Sequence, residues 1–236
     1  MQSGQIVFTR MDRVVFGQPT AEAIVAEAQR LNAQRVFLLV SGTLRRETKE
    51  VTQIIDALGS RYAGLHDHMP AHSPRSSVVA CANSAREAGA DLLVTFGGGS
   101  VTDGGKAVTI CLEHDIRDED GMEPFRTVVK DGKRHFPDYR APSIKQIAVP
   151  TTLSGGEFNA RAGVTDTRVS LKQSYIHPDI IPETVVLDAA VTVHTPEWLW
   201  LSTGIRAVDH AVETLCSIDA NDYTDGTARQ ALRLLA

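Results

Sequence analysis

Continuous apolar runs alternate with helix-spaced apolar positions along the first 110 residues of the chain. VFLLV (36–40) and DLLVTF (91–96) have the length and apolar content of buried strands. Three other segments repeat apolar residues at the spacing of one helix face, namely 21–33, 47–60 and 76–90. Strands that alternate with helices and are apolar on both faces are typical of a parallel α/β sheet, which is the fold class that we predict.

The pattern changes beyond residue 110. Residues 113–143 are polar, with acidic clusters, and predict an excursion from the sheet with a small hairpin at Asp131-Gly132. Apolar runs at 144–150 and 183–188 then predict two further strands of the sheet.

Only helical spacing remains after about residue 190. The first of these helices should start with Thr195 as its cap and Pro196 in its first turn. We therefore predict an α/β domain over residues 1–190 and the first helices of an all-helical domain over residues 191–236.

Composition narrows the class of protein. The 236 residues carry a formal net charge of −5 and are 42% hydrophobic, which argues against disorder and against a basic nucleic-acid-binding surface. No apolar run reaches the ~20 residues that span a bilayer, and the amino-terminal residues lack the regions of a secretory signal. The three cysteines, Cys81, Cys111 and Cys216, are far apart and form no CxxC, which argues against a disulfide scaffold. We expect a cytoplasmic protein without a membrane or nucleic-acid partner.

The segment FGGGSVTDGGKAV (96–108) is the first that carries chemistry. A predicted buried strand ends there in three glycines, followed by Ser100 and a helical pattern. Glycines allow a ligand to approach the backbone closely, and a helix amino terminus attracts a pyrophosphate. The spacing matches neither the GxGxxG fingerprint, because Thr102 occupies the third glycine position, nor the P-loop pattern. A tight strand-to-helix turn without a ligand therefore remains open on spacing alone.

The residues of this turn and of four later segments resemble the iron-containing alcohol dehydrogenase family. GGGSVTDGGKA resembles the family signature GGGSxxDxxKA. The other four segments follow in the family's order: VPTTLSGGE (149–157), AGVTD (162–166) with Lys172, PETVVLD (182–188) and STGIRAVDHAVE (202–213). The resemblance covers essentially the whole chain.

This resemblance implies a dehydroquinate synthase-like architecture, in which an amino-terminal α/β domain binds NADH or NADPH and a helical domain carries a divalent metal, iron or zinc. It also implies a small-molecule substrate, and a homodimer is possible because family members often dimerise. Members extend well over a hundred residues further, so this chain would be a truncated member that could bind nucleotide without turnover.

The resemblance assigns the residues of the cofactor site one by one. Gly97, Gly98, Gly99 and Ser100 would hold the pyrophosphate, and Asp103 belongs to the same motif. The remaining cofactor residues would be Thr151, Thr152 and Ser154 along the channel, Lys172 at the ribose or phosphate, and Leu187 near the adenosine half. A surface lysine and an ordinary turn remain the simpler alternatives for Lys172 and the threonines.

The residues after strand 36–40 bear on the choice between NAD and NADP. They are Ser41, Gly42 and Thr43, then Arg45 and Arg46, with no carboxylate to bind a ribose 2′-hydroxyl and repel a 2′-phosphate. We therefore expect NADPH to be tolerated.

The helix that should hold the metal departs from the family pattern. Arg206 replaces the usual aspartate ligand, while His210 remains as the single candidate metal ligand. The two residues lie four apart and share a helix face, and a guanidinium repels a cation. The alternatives are an ion pair of Arg206 with Asp209 or Glu213, and a buried His210 bonded to a backbone carbonyl.

Loss of that aspartate resembles the maleylacetate reductase branch, whose members work without a metal. The His-x-Pro motif formed by His72, Ser73 and Pro74 also resembles that branch. The implied reaction is hydride transfer from NAD(P)H to an unsaturated oxo-dicarboxylate in aromatic degradation. Arg206 would bind a carboxylate, His210 would donate a proton or hydrogen bond, and His72 would lie near the cleft.

Other functions remain open at this point. A metal-dependent alcohol dehydrogenase of the same family would need Arg206 to move aside. A carbon–oxygen lyase related to dehydroquinate synthase would need a full metal site. A non-catalytic nucleotide-binding module would need neither. The run HDHMPAH (66–72) could bind a metal in principle, but only Asp67 accompanies its three histidines.

Overall fold

The computed structural model describes residues 5–236. Residues 1–4 lie outside the described part, and they are the start of the segment in which a secretory signal was considered. The strands are β1 (Arg13–Phe16), β2 (Val36–Val40), β3 (Tyr62–His66), β4 (Leu92–Gly97), β5 (Val128–Lys130), β6 (Lys133–His135), β7 (Lys145–Pro150), β8 (Arg161–Asp166), β9 (Leu171–Ile176) and β10 (Thr184–Leu187). The helices are α1 (Thr20–Arg30), α2 (Gly42–Glu47), α3 (Glu50–Leu58), α4 (Arg75–Glu87), α5 (Gly99–Glu113), α6 (Ala189–Thr192), α7 (Glu197–Leu215) and α8 (Asp222–Leu235).

Six strands form one parallel sheet in the order β1-β10-β7-β4-β2-β3, which confirms the predicted fold class. The chain passes from β2 outward to β3 and then returns to the other side of β2 as β4. The connections therefore diverge between β2 and β4. In doubly wound sheets this switch point opens a crevice at the carboxyl ends of the two strands, where ligands bind.

Helices cover both faces of the sheet because side chains alternate along each buried strand. Phe37 and Leu39 pack in one core with residues of α4 and α5, whereas Leu38 and Val40 pack in a second core with residues of α1 and α3. All five residues of β2 are buried. The continuous apolar run of β2 thus reflects its position in the middle of a two-sided core.

One predicted helix is wrong in its bounds. Residues 47–60 form no continuous helix, since α2 ends at Glu47 and α3 starts at Glu50. Thr48 has an extended backbone, and its Oγ1 donates to the Leu44 carbonyl and accepts from the Glu50 amide. A threonine hydroxyl that bonds nearby backbone groups competes with helix continuation and here separates two helices.

The excursion after α5 forms the expected hairpin. β5 and β6 are antiparallel around Asp131 and Gly132, which both have positive φ angles, as a tight hairpin turn requires. A second hairpin, β8–β9, follows β7 and packs its β8 strand on α5. The strand β9 and the edge strand β1 were not predicted from the apolar pattern.

The carboxyl-terminal segment is helical, as expected, but the predicted cap is wrong. Pro196 directly precedes α7, and the Thr195 hydroxyl donates 2.7 Å to the Thr151 carbonyl instead of capping the helix. The hydroxyl therefore fastens this segment to the end of β7. The Leu153 amide also donates 3.2 Å to Thr203 Oγ1, which fixes the first half of α7 on the same turn. Within residues 5–236, no helix has both the length and the apolarity needed to cross a bilayer.

A matched pair of glycine variants tests how closely α5 packs on the sheet. A Cβ at Gly105 would lie 2.3 Å from Thr95 Cγ2, whereas a Cβ at Gly226 in α8 would meet nothing within 4 Å. Gly105→Ala should lower the free energy of unfolding by about 1–3 kcal/mol through overpacking. Gly226→Ala should raise it by about 0.5–1 kcal/mol, since alanine favours a helix. Urea-unfolding midpoints measure both effects, and a Gly105→Ala protein as stable as the parent chain would contradict this packing.

Candidate functional site

The ends of β2 and β4 meet at Gly97. A Cβ on this residue would lie 3.2 Å from the Ser41 Cβ and 2.9 Å from Val101 Cγ2, and its φ of +157° suits glycine alone. The Ser41 amide also donates 2.9 Å to the Phe96 carbonyl. The glycine turn therefore lies at the switch point of the sheet, in contact with the segment that follows β2.

The turn continues directly into α5 without a side-chain cap. Gly98 is the N-cap residue, and no side chain accepts a hydrogen bond from the first turn of this 15-residue helix. The amides of Gly99 and Ser100 have no acceptor within the helix, and the helix dipole adds partial positive charge. This end of α5 is suited to an anion such as a phosphate group.

The turn that follows β7, residues 151–155 (the β7 turn), contains predicted residues that face these glycines. A Cβ at Gly98 would lie 3.2 Å from Thr152 Cγ2, and a Cβ at Gly99 would lie 2.8 Å from Ser154 Oγ. The Thr151 amide donates 3.0 Å to the Gly97 carbonyl. The structure thus brings together the predicted glycines, both threonines and Ser154, in an arrangement that larger residues at the glycine positions would disrupt.

Ser100 is held by the segment that precedes α4. Its Oγ accepts from the His72 amide at 3.0 Å, and its carbonyl accepts from Ser73 Oγ at 2.7 Å. His72 is therefore next to the glycine turn, but it contacts Ser100 through its backbone, and its side chain is exposed. A catalytic role for the His72 imidazole stays a prediction.

Asp103 and Lys106 of the same motif fasten α5 to the β8–β9 hairpin. Asp103 accepts from the Gly163 amide at 3.0 Å and from Lys106 Nζ at 3.2 Å. The Lys106 ammonium is fully buried and also donates to the carbonyls of Gly156 and Arg161. Burial lowers the pKa of Lys106, which the Asp103 charge opposes. The observed contacts of Asp103 are structural, and its cofactor role stays a prediction.

Lys172 lies on β9 beside this cluster. Its Cε would be 2.5 Å from a Cβ placed on Gly163, so the lysine side chain extends across that glycine towards Asp103. Lys172 is exposed, and its ammonium has no hydrogen bond or ion pair with any residue in the described range 5–236. It is therefore free to reach a ligand near α5.

A cavity of about 360 Å³ adjoins the β7 turn and contains two predicted residues, Thr152 and Leu187. Apolar side chains form most of its wall, with Trp200 of α7 on one side. Glu157 also lines it, is buried, and has an Oε2 atom without a hydrogen bond in the described chain. Burial raises the pKa of the Glu157 carboxyl. Glu157 belongs to the motif 149–157, and nothing in the sequence distinguishes its carboxyl from the rest of that motif.

Arg206 and His210 lie on α7 and are both exposed. Arg206 forms an ion pair with Asp209, which was one of the alternatives considered from the sequence. His210 is not buried, and so the alternative of a buried histidine is wrong. Neither side chain contacts the glycine turn through a hydrogen bond or ion pair in residues 5–236.

The described residues do not offer a metal site around His210. Across residues 5–236, no three histidine, cysteine, aspartate or glutamate side chains cluster in a way that could hold a metal ion. The Arg206 guanidinium also lies on the helix face where a second ligand would be needed. His210 remains a single candidate ligand, and the residues present do not fit a bound metal.

The sheet order, together with a glycine turn that leads into α5 without a side-chain cap, defines a doubly wound α/β fold of the nucleotide-binding kind. The family model described as "Iron-containing alcohol dehydrogenase" matches residues 12–189, and the chain belongs to that family.

Curated relatives include both dehydrogenases and maleylacetate reductases. The chain is 35% identical over 217 residues to Dehydrogenase FUM7 of Gibberella moniliformis, covering 90% of this chain and 51% of that protein. It is 32% identical over 224 residues to Maleylacetate reductase 2 of Cupriavidus pinatubonensis, covering 95% of this chain and 53% of that protein. The chain thus spans about half the length of the curated relatives that it matches.

Solved structures agree with this assignment. The crystal structure of maleylacetate reductase from Agrobacterium tumefaciens superposes with a TM-score of 0.78 at 26% identity, over 100% of this chain and 57% of that one. A sulfoacetaldehyde reductase from Bifidobacterium kashiwanohense, solved in complex with NAD+, has a TM-score of 0.83 at 22% identity and supports the fold.

Proposed function

We propose that this chain is the cofactor-binding part of an NAD(P)H-dependent reductase of the maleylacetate reductase type. The observation that carries the proposal is the uncapped start of α5, which lies at the switch point with Gly97 against Ser41. The amides of Gly99 and Ser100 would bind the pyrophosphate. We also retain the proposal that a helical domain begins near residue 190.

The remaining parts of the dinucleotide would extend to either side of the turn. The adenosine ribose would lie at the segment after β2, and the adenine would enter the cavity that Thr152 and Leu187 line. Lys172 would reach a ribose or phosphate oxygen from β9. When bound, the dihydronicotinamide supplies a hydride, and the protein binds and orients it.

The proposed substrate is a small unsaturated oxo-dicarboxylate. Arg206 would bind one carboxylate after exchanging its ion pair with Asp209, since a guanidinium pairs with carboxylates through two parallel hydrogen bonds. His210, one turn along the same helix, would donate a hydrogen bond to the oxygen that gains charge. Relatives named maleylacetate reductase, such as the one that is 32% identical, support this choice.

A metal-dependent alcohol dehydrogenase of the same family is the second candidate, which relatives named as alcohol dehydrogenases support. It requires a ligand set that residues 5–236 do not supply. The test uses a version of the protein extended to the length of its relatives. Reductase activity that persists in EDTA would favour the first proposal. Activity that is lost in EDTA and restored by iron or zinc would favour the second.

Titration with NADH and NADPH tests the cofactor proposal. Both should quench tryptophan emission through energy transfer to the dihydronicotinamide and saturate in the micromolar range. Trp200 lines the cavity and should report most of the change, so Trp198→Phe serves as the control for the exposed Trp198. A folded chain that binds neither nucleotide would contradict the proposal and favour a chain without nucleotide function.

Two neighbouring arginines give a matched test of the 2′-phosphate. Arg46 is exposed beside Gly42, whose added Cβ would be 2.8 Å from Arg46 Nη1, and it has no partner in the described residues. Arg45 instead donates to Thr52 on α3. Arg46→Ala should weaken NADPH binding by about tenfold and change NADH binding little, since a charged hydrogen bond is lost.

Arg45→Ala should leave both affinities within about twofold, because the Arg45 guanidinium is bonded to Thr52 on α3. A change of that size is typical of surface substitutions. Equal weakening of NADH and NADPH by Arg46→Ala would show that the guanidinium does not recognise the 2′-phosphate. The readout is the ratio of the two dissociation constants in each variant.

A further inference from the structure

Two consecutive residues before α4 have left-handed backbone conformations. His72 has a φ of 67° and Ser73 a φ of 49°, and neither is glycine. Such conformations cost roughly 1–2 kcal/mol per residue and persist only where surrounding contacts enforce them. The contacts that stabilise this His72–Ser73 turn therefore indicate its role in the structure.

On one side the turn binds Ser100 at the start of α5. The His72 amide donates 3.0 Å to Ser100 Oγ, and Ser73 Oγ donates 2.7 Å to the Ser100 carbonyl. Ser73 is fully buried, so this second bond is shielded from water. The Ser100 hydroxyl thus accepts one hydrogen bond and donates to no residue within 5–236, which leaves its proton for an outside acceptor.

On its other side the turn is tied to β8. The Thr165 hydroxyl donates 2.9 Å to the His72 carbonyl, and the Thr165 amide donates 3.2 Å to the Ser73 carbonyl. A parallel bridge also joins Pro74 to Thr165. Thr165 of β8 therefore holds both carbonyls of the strained turn.

A buried arginine binds β8 one residue further along both segments, since Arg75 follows Pro74 and Asp166 follows Thr165. Arg75 has no exposed surface and contacts Asp166 Oδ2 at 3.2 Å and Gln173 Oε1 at 2.5 Å. Arg168 binds the same Asp166 through two nitrogens. These hydrogen bonds lower the pKa of Asp166 from 3.8 to about 2, so its carboxylate is charged at neutral pH.

We propose that Ser73 is a positioning residue for the cofactor phosphate. It acts through Ser100: Ser73 Oγ holds the Ser100 carbonyl, and the adjacent His72 amide holds the Ser100 hydroxyl so that its proton is left for a phosphate oxygen. Thr165 supports the turn from β8. This inference rests on the proposed function, because the phosphate belongs to the bound dinucleotide. Ser73 itself touches no ligand.

Ser73→Gly is the sharpest variant, because it removes the hydroxyl but leaves a residue that adopts positive φ without cost. It should keep or raise the melting temperature and weaken NADPH binding by about fivefold, the size of one lost hydrogen bond. In the chain without ligand, backbone hydrogen exchange over residues 98–103 should become faster. Thr165→Val should act in the same direction.

Two comparisons separate positioning from general stability. Ser100→Ala should weaken NADPH binding, and adding Ser73→Gly to it should cause no further loss, since Ser73 acts through Ser100. Ser76→Ala is the control, because Ser76 is exposed on α4 and makes no hydrogen bond to the described residues. It should change neither affinity nor exchange.

The failures of the two proposals are distinguishable. If the parent chain binds neither nucleotide, the proposed function fails, and with it the role for Ser73, although faster exchange at 98–103 would still verify the link to Ser100. If the parent binds and Ser100→Ala weakens binding, additive losses in the double variant overturn the positioning role. Unchanged affinity and unchanged exchange in Ser73→Gly overturn it as well.

Discussion

The close approach of β2 and β4 at Gly97 is the constraint on which the rest of the site depends. Only a residue without a side chain allows Ser41 and Val101 to pack against this position, and a Cβ would lie within 3.2 Å of each. Because the two strands carry divergent connections, the same contact lies at the mouth of the crevice. One glycine thus allows both the close packing at the end of the sheet and the opening for a ligand.

Buried charges hold the elements around this opening in fixed positions. Lys106 joins α5 to the loop before β8 and to Arg161 at the start of β8. Arg75 joins the start of α4 to β8 and β9. Buried charges that lose one partner are strongly destabilising, so such networks favour one arrangement of the surrounding segments. The two networks meet at β8, and this strand therefore couples α5 to the turn that contacts Ser100.

The parallel sheet could be predicted because β2 and β4 are apolar at nearly every position, which only burial on two faces explains. The break at Thr48 could not, since it depends on a hydroxyl that bonds its own backbone neighbours. β9 escaped prediction because its alternating burial depends on the way the hairpin packs in three dimensions. The glycines of the 97–99 turn, Thr152 and Ser154, which the motifs proposed for a cofactor site, lie close together in the fold. The contact of His72 with Ser100 could not be foreseen, because a backbone amide leaves no signal in the side-chain pattern.

Dinucleotide binding at the carboxyl ends of β2 and β4 is the central proposal. Hydrogen–deuterium exchange of the chain with and without saturating NADH tests it most directly, because it reports binding segment by segment. Bound NADH should slow exchange over residues 41–46 and 97–103, with little change in the β5–β6 hairpin. Protection confined to the cavity of about 370 Å³ between α4 and Arg168, with none at the glycine turn, would contradict it.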